Sequence, residues 1–309
     1  MTRRNEETTS MTNNTFKTIG FIGLGAMGSQ MVKHLKGIAD ILVYDTDAAR
    51  ATEAAKASGG RVVDGVSGIS TADAVILMLP TSAIVDQVLH GADGGKGLLD
   101  HLPSGAMVID MSSSAPTNSV ANAEIAAKKG IRFIDAPVSG GVKGAEAASL
   151  AIMVGGTQAD FDRALPVLQK MGAKVFLVGK VGSGHAVKAL NNLLAATAFV
   201  ATSEVFAVGA KFGLDPATML KVIDASSGQS FQTTHVWQKA VIERTFQFGF
   251  ALALMEKDVR VAMSLFDAMG SDAQLSRTTA AIWAKALATA SPGSDMTIVA
   301  KQAEAALGL

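Results

Sequence analysis

Lys188 and Asn192 stand four residues apart near the start of residues 186–208, a stretch with neither glycine nor proline. Such a stretch predicts one long helix. The spacing puts both side chains on one face, about 5 to 6 Å apart between Cβ atoms. An ammonium and a carboxamide aimed together could move a proton and orient an oxygen-bearing ligand. Leu190, Leu193, Leu194, Phe199 and Val200 surround them, and a lysine buried among such residues needs a partner or a task, its pKa pushed down by desolvation. The competing expectation is a lysine that lays its stem on the helix and keeps its charge in water. Asn191 is turned away by about 100° of helix. His185, three residues before the lysine, is expected to cap or pack rather than share its face.

A second constellation lies near the start of the chain. Thr18-Ile-Gly-Phe-Ile22 is a short apolar run, Gly23-Leu24-Gly25-Ala26-Met27-Gly28 follows at once, and a helical pattern through Met31, Val32 and Leu35 comes next. Strand, glycine loop and helix arrive in the order that holds a dinucleotide pyrophosphate. Gly23 is expected to make the tight turn, Gly25 to let backbone approach the phosphates, and Gly28 to let the helix pack on the strand. The helix N-terminus supplies N–H donors. The next apolar run ends in Asp45, 17 residues past Gly28. A carboxylate there accepts bonds from ribose hydroxyls and repels a 2′-phosphate, so the expected cofactor is NAD rather than NADP. Arg50 reads as a solvated helix charge or as a phosphate ligand.

The elements that must position these groups follow from the apolar pattern. Residues 73–79, 106–110 and 131–135 are nearly all apolar, as strands buried on both faces are. Helical, alanine-rich segments such as residues 116–129 lie between them, and shorter runs at 150–154 and 174–178 extend the set. The alternation predicts an α/β chain: a doubly wound, Rossmann-type parallel sheet over residues 17–180, with ligands at the carboxyl ends of the strands. An all-α domain over residues 181–309 follows. Ser113, just past one strand end, is expected on the nicotinamide side. Ser139-Gly140-Gly141, past another, could bare backbone N–H groups to a carboxylate or form an ordinary glycine turn. Residues 1–16 are polar and read as a disordered leader.

Four motifs in fixed order carry a resemblance: Gly23-Leu-Gly-Ala-Met-Gly28, Asp135-Ala-Pro-Val-Ser-Gly-Gly-Val-Lys-Gly144, Gly184-His-Ala-Val-Lys188-Ala-Leu-Asn-Asn192 and Lys257-Asp258. Over about residues 17–305 the chain resembles the β-hydroxyacid dehydrogenase family. The resemblance implies an NAD-dependent oxidoreductase that interconverts a short 3-hydroxy acid and its semialdehyde or keto form. It implies Lys188 as catalytic lysine, Asn192 as the asparagine that orients substrate, and Ser139, Gly140 and Gly141 as the substrate-carboxylate site. Lys257 then lies over cofactor and substrate, and Leu79, Pro80 and Ser113 are nicotinamide-side contacts. Ser113 stands where many relatives have threonine, with the hydroxyl kept. The residues themselves argue the same way for Lys188. Moving a hydride to or from a carbinol carbon requires a proton to move on its oxygen, and lysine, tyrosine and carboxylate are the candidates. The one tyrosine, Tyr44, belongs to the ribose end. A second ammonium at Lys257 would depress the Lys188 pKa further. An oxidative decarboxylase of the phosphogluconate type, an imine reductase and a non-catalytic dinucleotide sensor are the alternatives. The helical part looks short for the first, and retained Lys188 and Asn192 speak against the others.

Composition bounds the partners. The 309 residues carry 27 basic and 27 acidic side chains, so no net field draws nucleic acid or an anionic membrane, and a small-molecule partner is expected. Cysteine is absent, and the five histidines lack metal-ligand spacing, so no metal is expected. The uncharged window 189–203 falls short of the roughly 18 to 20 residues of a membrane span; a cytoplasmic protein whose long helix is buried between domains or subunits is expected. Residues 216–225, 234–244, 254–268, 278–290 and 295–306 read as helices, the first opened by Asp215 as N-cap and Pro216 at the first helical position. The apolar surplus predicts a homodimer or homotetramer through the long helix. Phe246, Phe248 and Phe250 read as core, with closure of one over the nicotinamide as the alternative. The polar loop 226–230 is expected to read substrate hydroxyls, favouring a polyhydroxylated acid over a methyl-bearing one.

Overall fold

In a computed structural model that describes residues 16–92 and 94–309, most of the expected leader lies outside the described residues. Phe16 does not: its ring is buried with the Arg163 guanidinium 4.9 Å above it, so this residue belongs to the core. The chain divides into two compact units, Met1–His185 and Ala186–Leu309, five residues later than the boundary expected from sequence.

Strands β1 (Thr18–Ile22), β2 (Asp40–Tyr44), β4 (Ala74–Leu77), β5 (Met107–Asp110) and β6 (Arg132–Asp135) fall on the apolar runs, and β3 (Arg61–Val62) is a two-residue addition. Successive side chains of a strand point to opposite faces. Phe21, Val43, Ile76 and Ile109 accordingly fill one face of the sheet, and Leu42, Val75, Leu77 and Val108 the other. Both faces are covered, which is why these strands read as continuous rather than alternating runs. Each such side chain contributes about 1.5 to 3 kcal/mol of burial. The strand order is β3-β2-β1-β4-β5-β6, all parallel. Beyond β6 the expectation of a purely parallel sheet is corrected: β8 (Ala151–Gly155) runs antiparallel to both β6 and β7 (Val138–Ser139), and β9 (Lys174–Gly179) is parallel to β8. Eleven residues, 140–150, join β7 to β8, fewer than the dozen or more that a crossover to a parallel neighbour needs. Helices α1 (Gly28–Met31), α2 (Ala48–Ser58), α3 (Ser82–His90), α4 (Pro116–Lys128), α5 (Gly141–Glu146) and α6 (Gln158–Leu168) connect the strands.

Helix α7 (Ser183–Phe212) is longer than its glycines suggest, because it runs through Gly184 and Gly209. A Cβ on Gly209 would lie 2.4 Å from Met219 Sδ on α8 (Pro216–Asp224), so this glycine serves close helix packing rather than a stop. By length and hydropathy alone α7 could cross a membrane, which corrects the expectation that it falls short. Its Ala189, Leu193, Ala196 and Phe199 are instead buried in the helical core with Trp237 and Trp283. The segment expected as an α-helix at 234–244 winds as a π-helix, Gln232–Ile242, a rare form. It buries Trp237 against Phe199 and Phe206, ring centres 5.4 and 5.0 Å apart. Helices α9 (Leu252–Ala268), α10 (Gln274–Thr289) and α11 (Val299–Ala306) complete the unit. Of the three expected core phenylalanines, Phe246 and Phe250 pack against this core, while Phe248 is exposed with its edge toward Phe231.

Candidate active-site residues

The glycine loop between β1 and α1 is built by steric exclusion. Gly23 has φ +94°, and a Cβ there would lie 2.3 Å from the Met78 carbonyl oxygen. A Cβ on Gly28 would come within 2.0 Å of the Gly23 oxygen. Both positions are glycine because the chain's own backbone leaves no room. Gly25 differs: a Cβ there would meet nothing within 4 Å, so the protein does not require glycine, whereas a ligand lying against the backbone would. Met27, with no side-chain cap, leads into α1, and the first N–H groups of a helix are anion donors. Asp45 ends β2 half-buried; Leu24 N–H donates to its Oδ2 at 2.6 Å and Asp47 N–H to its Oδ1 at 2.8 Å. One lone pair on each oxygen remains for a ribose hydroxyl. Arg50 is exposed and pairs with Asp47 at 3.2 Å, as a solvated helix charge does. Gly25, Ala26 and Asp45 thus fit a bound dinucleotide, adenosine-ribose end at Asp45 and pyrophosphate at the loop.

At the ends of β4 and β5 a buried hub fixes the next expected contacts. Asp110 accepts from Ser112 N–H and from Ser114 Oγ, each at 3.0 Å, and Ser112 Oγ accepts from Leu79 N–H at 2.9 Å. Ser112 and Ser114 are buried; Ser113 between them is half-buried. The network therefore ties Leu79 to the loop that carries Ser113, although Asp110 and Ser112 carried no role in the sequence reading. Asp135, at the end of β6, accepts from Gly182 N–H and His185 N–H at 2.7 and 2.8 Å. Burial pushes the Asp135 carboxyl pKa up, and nearby His185 and the backbone donors pull it down.

Ser139 closes β7, and the two glycines after it have φ +134° and +63°, backbone that side chains rarely adopt. Both are exposed, and a Cβ on Gly141 would meet nothing within 4 Å. The short α5 behind them is clipped to the glycine-loop helix, where His34 Nε2 donates to the Ala145 carbonyl at 2.9 Å. His34 had no expected role.

In the helical unit, Asn192 is buried on α7 and its Nδ2 donates to Asp258 Oδ2 at 2.6 Å. The other carboxylate oxygen of Asp258 lies 3.3 Å from Lys257 Nζ. Lys188 is half-buried; desolvation holds its pKa below the ordinary lysine value, Asp258 raises it and Lys257 lowers it. The structure thus gathers Lys188, Asn192 and Lys257 around Asp258, which the motif named but to which no function was given. A signal was present: Leu252, Met255, Val259, Ala262 and Met263 form the buried face of α9, and Asp258 is a charged residue on it. Asn191 is exposed where Asn192 is buried, on another face of the helix as expected, yet its Nδ2 donates to Asn192 Oδ1 at 3.1 Å. Its flexible side chain reaches back across the step. An amine of lowered proton affinity, a carboxamide and a second ammonium can together take a proton from, orient and charge-match a small hydroxy acid.

Comparison with known proteins bears on which hydroxy-acid chemistry this is. Residues 18–179 match the family described as the NAD binding domain of 6-phosphogluconate dehydrogenase, and residues 182–303 that described as NAD-binding of NADP-dependent 3-hydroxyisobutyrate dehydrogenase. The 2-(hydroxymethyl)glutarate dehydrogenase of Eubacterium barkeri is 40% identical over 247 residues, 79% of this chain and 81% of that protein. The chain belongs to the β-hydroxyacid dehydrogenase family. Within that family, human mitochondrial 3-hydroxyisobutyrate dehydrogenase is 36% identical over 254 residues, 79% of this chain and 74% of that one. The structure of Mycobacterium tuberculosis 3-hydroxyisobutyrate dehydrogenase with L-serine superposes with TM-score 0.85 at 32% identity, covering 93% and 99% of the two chains. This β-hydroxyacid dehydrogenase is an oxidoreductase that uses a nicotinamide dinucleotide and acts on a small hydroxy acid.

Proposed function

We propose that the enzyme is NAD-linked, that its substrate has the form HO–CH2–CH(R)–COO⁻, and that Lys188 is its general acid and base. The names of the relatives supply the class, since 3-hydroxyisobutyrate and 2-(hydroxymethyl)glutarate share this skeleton and differ in R. Half-buried Asp45 at the end of β2, with Arg50 already paired to Asp47, favours unphosphorylated ribose. A bound nicotinamide dinucleotide supplies the hydride acceptor, or the donor in the reverse direction. During oxidation the Lys188 amine takes the hydroxyl proton; during reduction the ammonium returns it. Asn192, its orientation fixed by Asp258 and Asn191, directs the substrate oxygen. The backbone at Ser139, Gly140 and Gly141, together with the Lys257 ammonium, suits the carboxylate. The loop 226–230 lends no support to a polyhydroxylated substrate, because Ser226 Oγ donates to Val222 O at 2.6 Å and Ser230 exchanges bonds with Thr233.

The observation that carries this reading is the lysine of lowered pKa on the same helix face as a buried, anchored asparagine. Lys188→Ala should lower kcat by about 10²- to 10⁴-fold, the usual worth of a general acid–base group, with NADH binding unchanged. A variant of near-normal turnover overturns the assignment. Matched kcat/KM values for 3-hydroxyisobutyrate, 2-(hydroxymethyl)glutarate and glycerate then fix R.

The same helix supports self-association. Val187, Leu190 and Leu194 recur as Val205, Val208 and Phe212 eighteen residues later, five turns of helix and so the same face. All six are exposed, Phe212 at 83%. A stripe of this kind marks an interface, and a second copy of the chain would cover it isologously. Sedimentation at micromolar concentration should show a dimer or larger, and a stable monomer refutes the interface.

A further inference from the structure

His185 is 1% exposed, and its backbone N–H and both ring nitrogens are engaged within the nucleotide-binding unit. Its backbone N–H donates to Asp135 Oδ2 at 2.8 Å. Nε2 lies 3.0 Å from the carbonyl oxygen of Ser112; a carbonyl only accepts, so Nε2 carries the proton. In the neutral ring Nδ1 then accepts from the Ser119 hydroxyl, 2.7 Å away on α4. Through His185 four separated pieces of chain meet: the end of β6, the first turn of α7, the loop after β5 and helix α4.

Ser112 is the recipient, and its own bonds show why that matters. Its N–H is held by Asp110, its hydroxyl by the Leu79 N–H and its carbonyl by His185. All three polar groups of one buried residue are fixed, from three directions. The peptide plane that runs from the Ser112 carbonyl into Ser113 therefore has no rotational freedom, and neither has the Leu79 amide bound to the same side chain. We propose that His185 is a positioning residue for the nicotinamide end of the cofactor, holding the Ser112–Ser113 peptide and, through Ser112, Leu79. The proposal rests on the reading of Leu79, Pro80 and Ser113 as nicotinamide-side contacts. The hub adjoins the glycine loop, where a Cβ on Gly23 would lie 3.0 Å from Leu79 Cδ2, but its hydrogen bonds run to Leu79 and the Ser112–Ser113 peptide, so the larger effect is expected at the nicotinamide end.

The full-length enzyme is titrated with NADH and with ADP-ribose, which lacks the nicotinamide. His185→Asn and His185→Gln are compared, because the glutamine amide reaches toward the position from which Nε2 donates and the asparagine amide falls short. His185→Asn should weaken NADH about tenfold, the worth of one buried hydrogen bond, and leave ADP-ribose unchanged. His185→Gln should restore most of the NADH affinity. Equal weakening of NADH and ADP-ribose marks general destabilisation and overturns the proposal, as does wild-type NADH affinity in His185→Asn. Ser113→Ala, measured alongside, separates two failures. If it weakens NADH while His185→Asn does nothing, the positioning role alone is wrong; if neither variant affects NADH, the reading of the loop is wrong as well. Should His185→Asn not fold, Ser119→Ala, which removes the bond that sets the ring's orientation, should weaken NADH selectively in milder form. An unchanged ratio of NADH to ADP-ribose affinity in that variant overturns the proposal.

Discussion

The glycine loop after β1 and the lysine cluster on α7 and α9 are made by opposite means. The loop is a product of exclusion: residues close in sequence, no side chains where backbone or ligand must pass, and bonds to strand ends. The cluster is a product of charge: Asn192 and Lys257 are gathered by one carboxylate, Asp258, which lies 66 residues beyond Asn192. The contrast shows that glycines within one motif need not share a cause. Gly23 and Gly28 are demanded by the chain itself, Gly25 by nothing in the chain, so folding and ligand binding can be pulled apart within six residues. In the cluster they are linked, since the carboxylate that orients Asn192 also raises the proton affinity of Lys188 against the lowering by desolvation.

Gly28→Ala should have the largest effect. The added methyl has backbone 2.0 Å away, so helix or loop must shift; about 1 to 3 kcal/mol of stability and nearly all NADH binding should be lost, read by thermal melting and fluorescence titration. Retained stability with intact binding would show that the loop is softer than its packing implies. In the cluster, Asp258→Asn should lower kcat about 10- to 100-fold, the equivalent of roughly 1.4 to 2.8 kcal/mol, through the loosened Asn192. It should also move the pH profile. Oxidation needs the free amine, so its rate rises with pH through the Lys188 pKa. Removing the anion that raises this pKa shifts the rise to lower pH, and Lys257→Met, which removes a cation that lowers it, shifts the rise to higher pH. Shifts in one common direction would refute the assignment. The smallest effect is expected at Gly25→Ala: an unchanged melting temperature with NADH affinity reduced about tenfold, as when backbone can no longer approach a phosphate. A lowered melting temperature there would erase the distinction from Gly28.

Legibility followed the same division. The strands were readable because burial on both faces leaves unbroken apolar runs, and the loop because its turn and its helix start are written in consecutive residues. Lys188 and Asn192 were readable as a pair because four residues of helix make one face. Asp258 was visible only as half of a dipeptide. Its place on the buried face of α9 became informative once that face had a neighbour. His34 gave no distinguishing signal, and His185 read only as a capping or packing residue, which its burial matches, since a histidine that holds a carbonyl looks like any other until the carbonyl is in place. The reversal of β8, the π-helix and the passage of α7 through Gly184 and Gly209 were likewise hidden, because each depends on what packs alongside.

The sequence by itself determined the order of strand, loop and helix, the acid that ends β2, and the face shared by lysine and asparagine. All of these depend on neighbours within about one helical turn or one strand, where backbone geometry and side-chain period dictate the outcome. Only the tertiary structure decided which carboxylate holds Asn192, that the same carboxylate opposes the lowering of the Lys188 proton affinity, and which distant backbone atom excludes a side chain at Gly23. Those depend on desolvation and on contacts between segments far apart in the chain, and neither exists until the chain has folded.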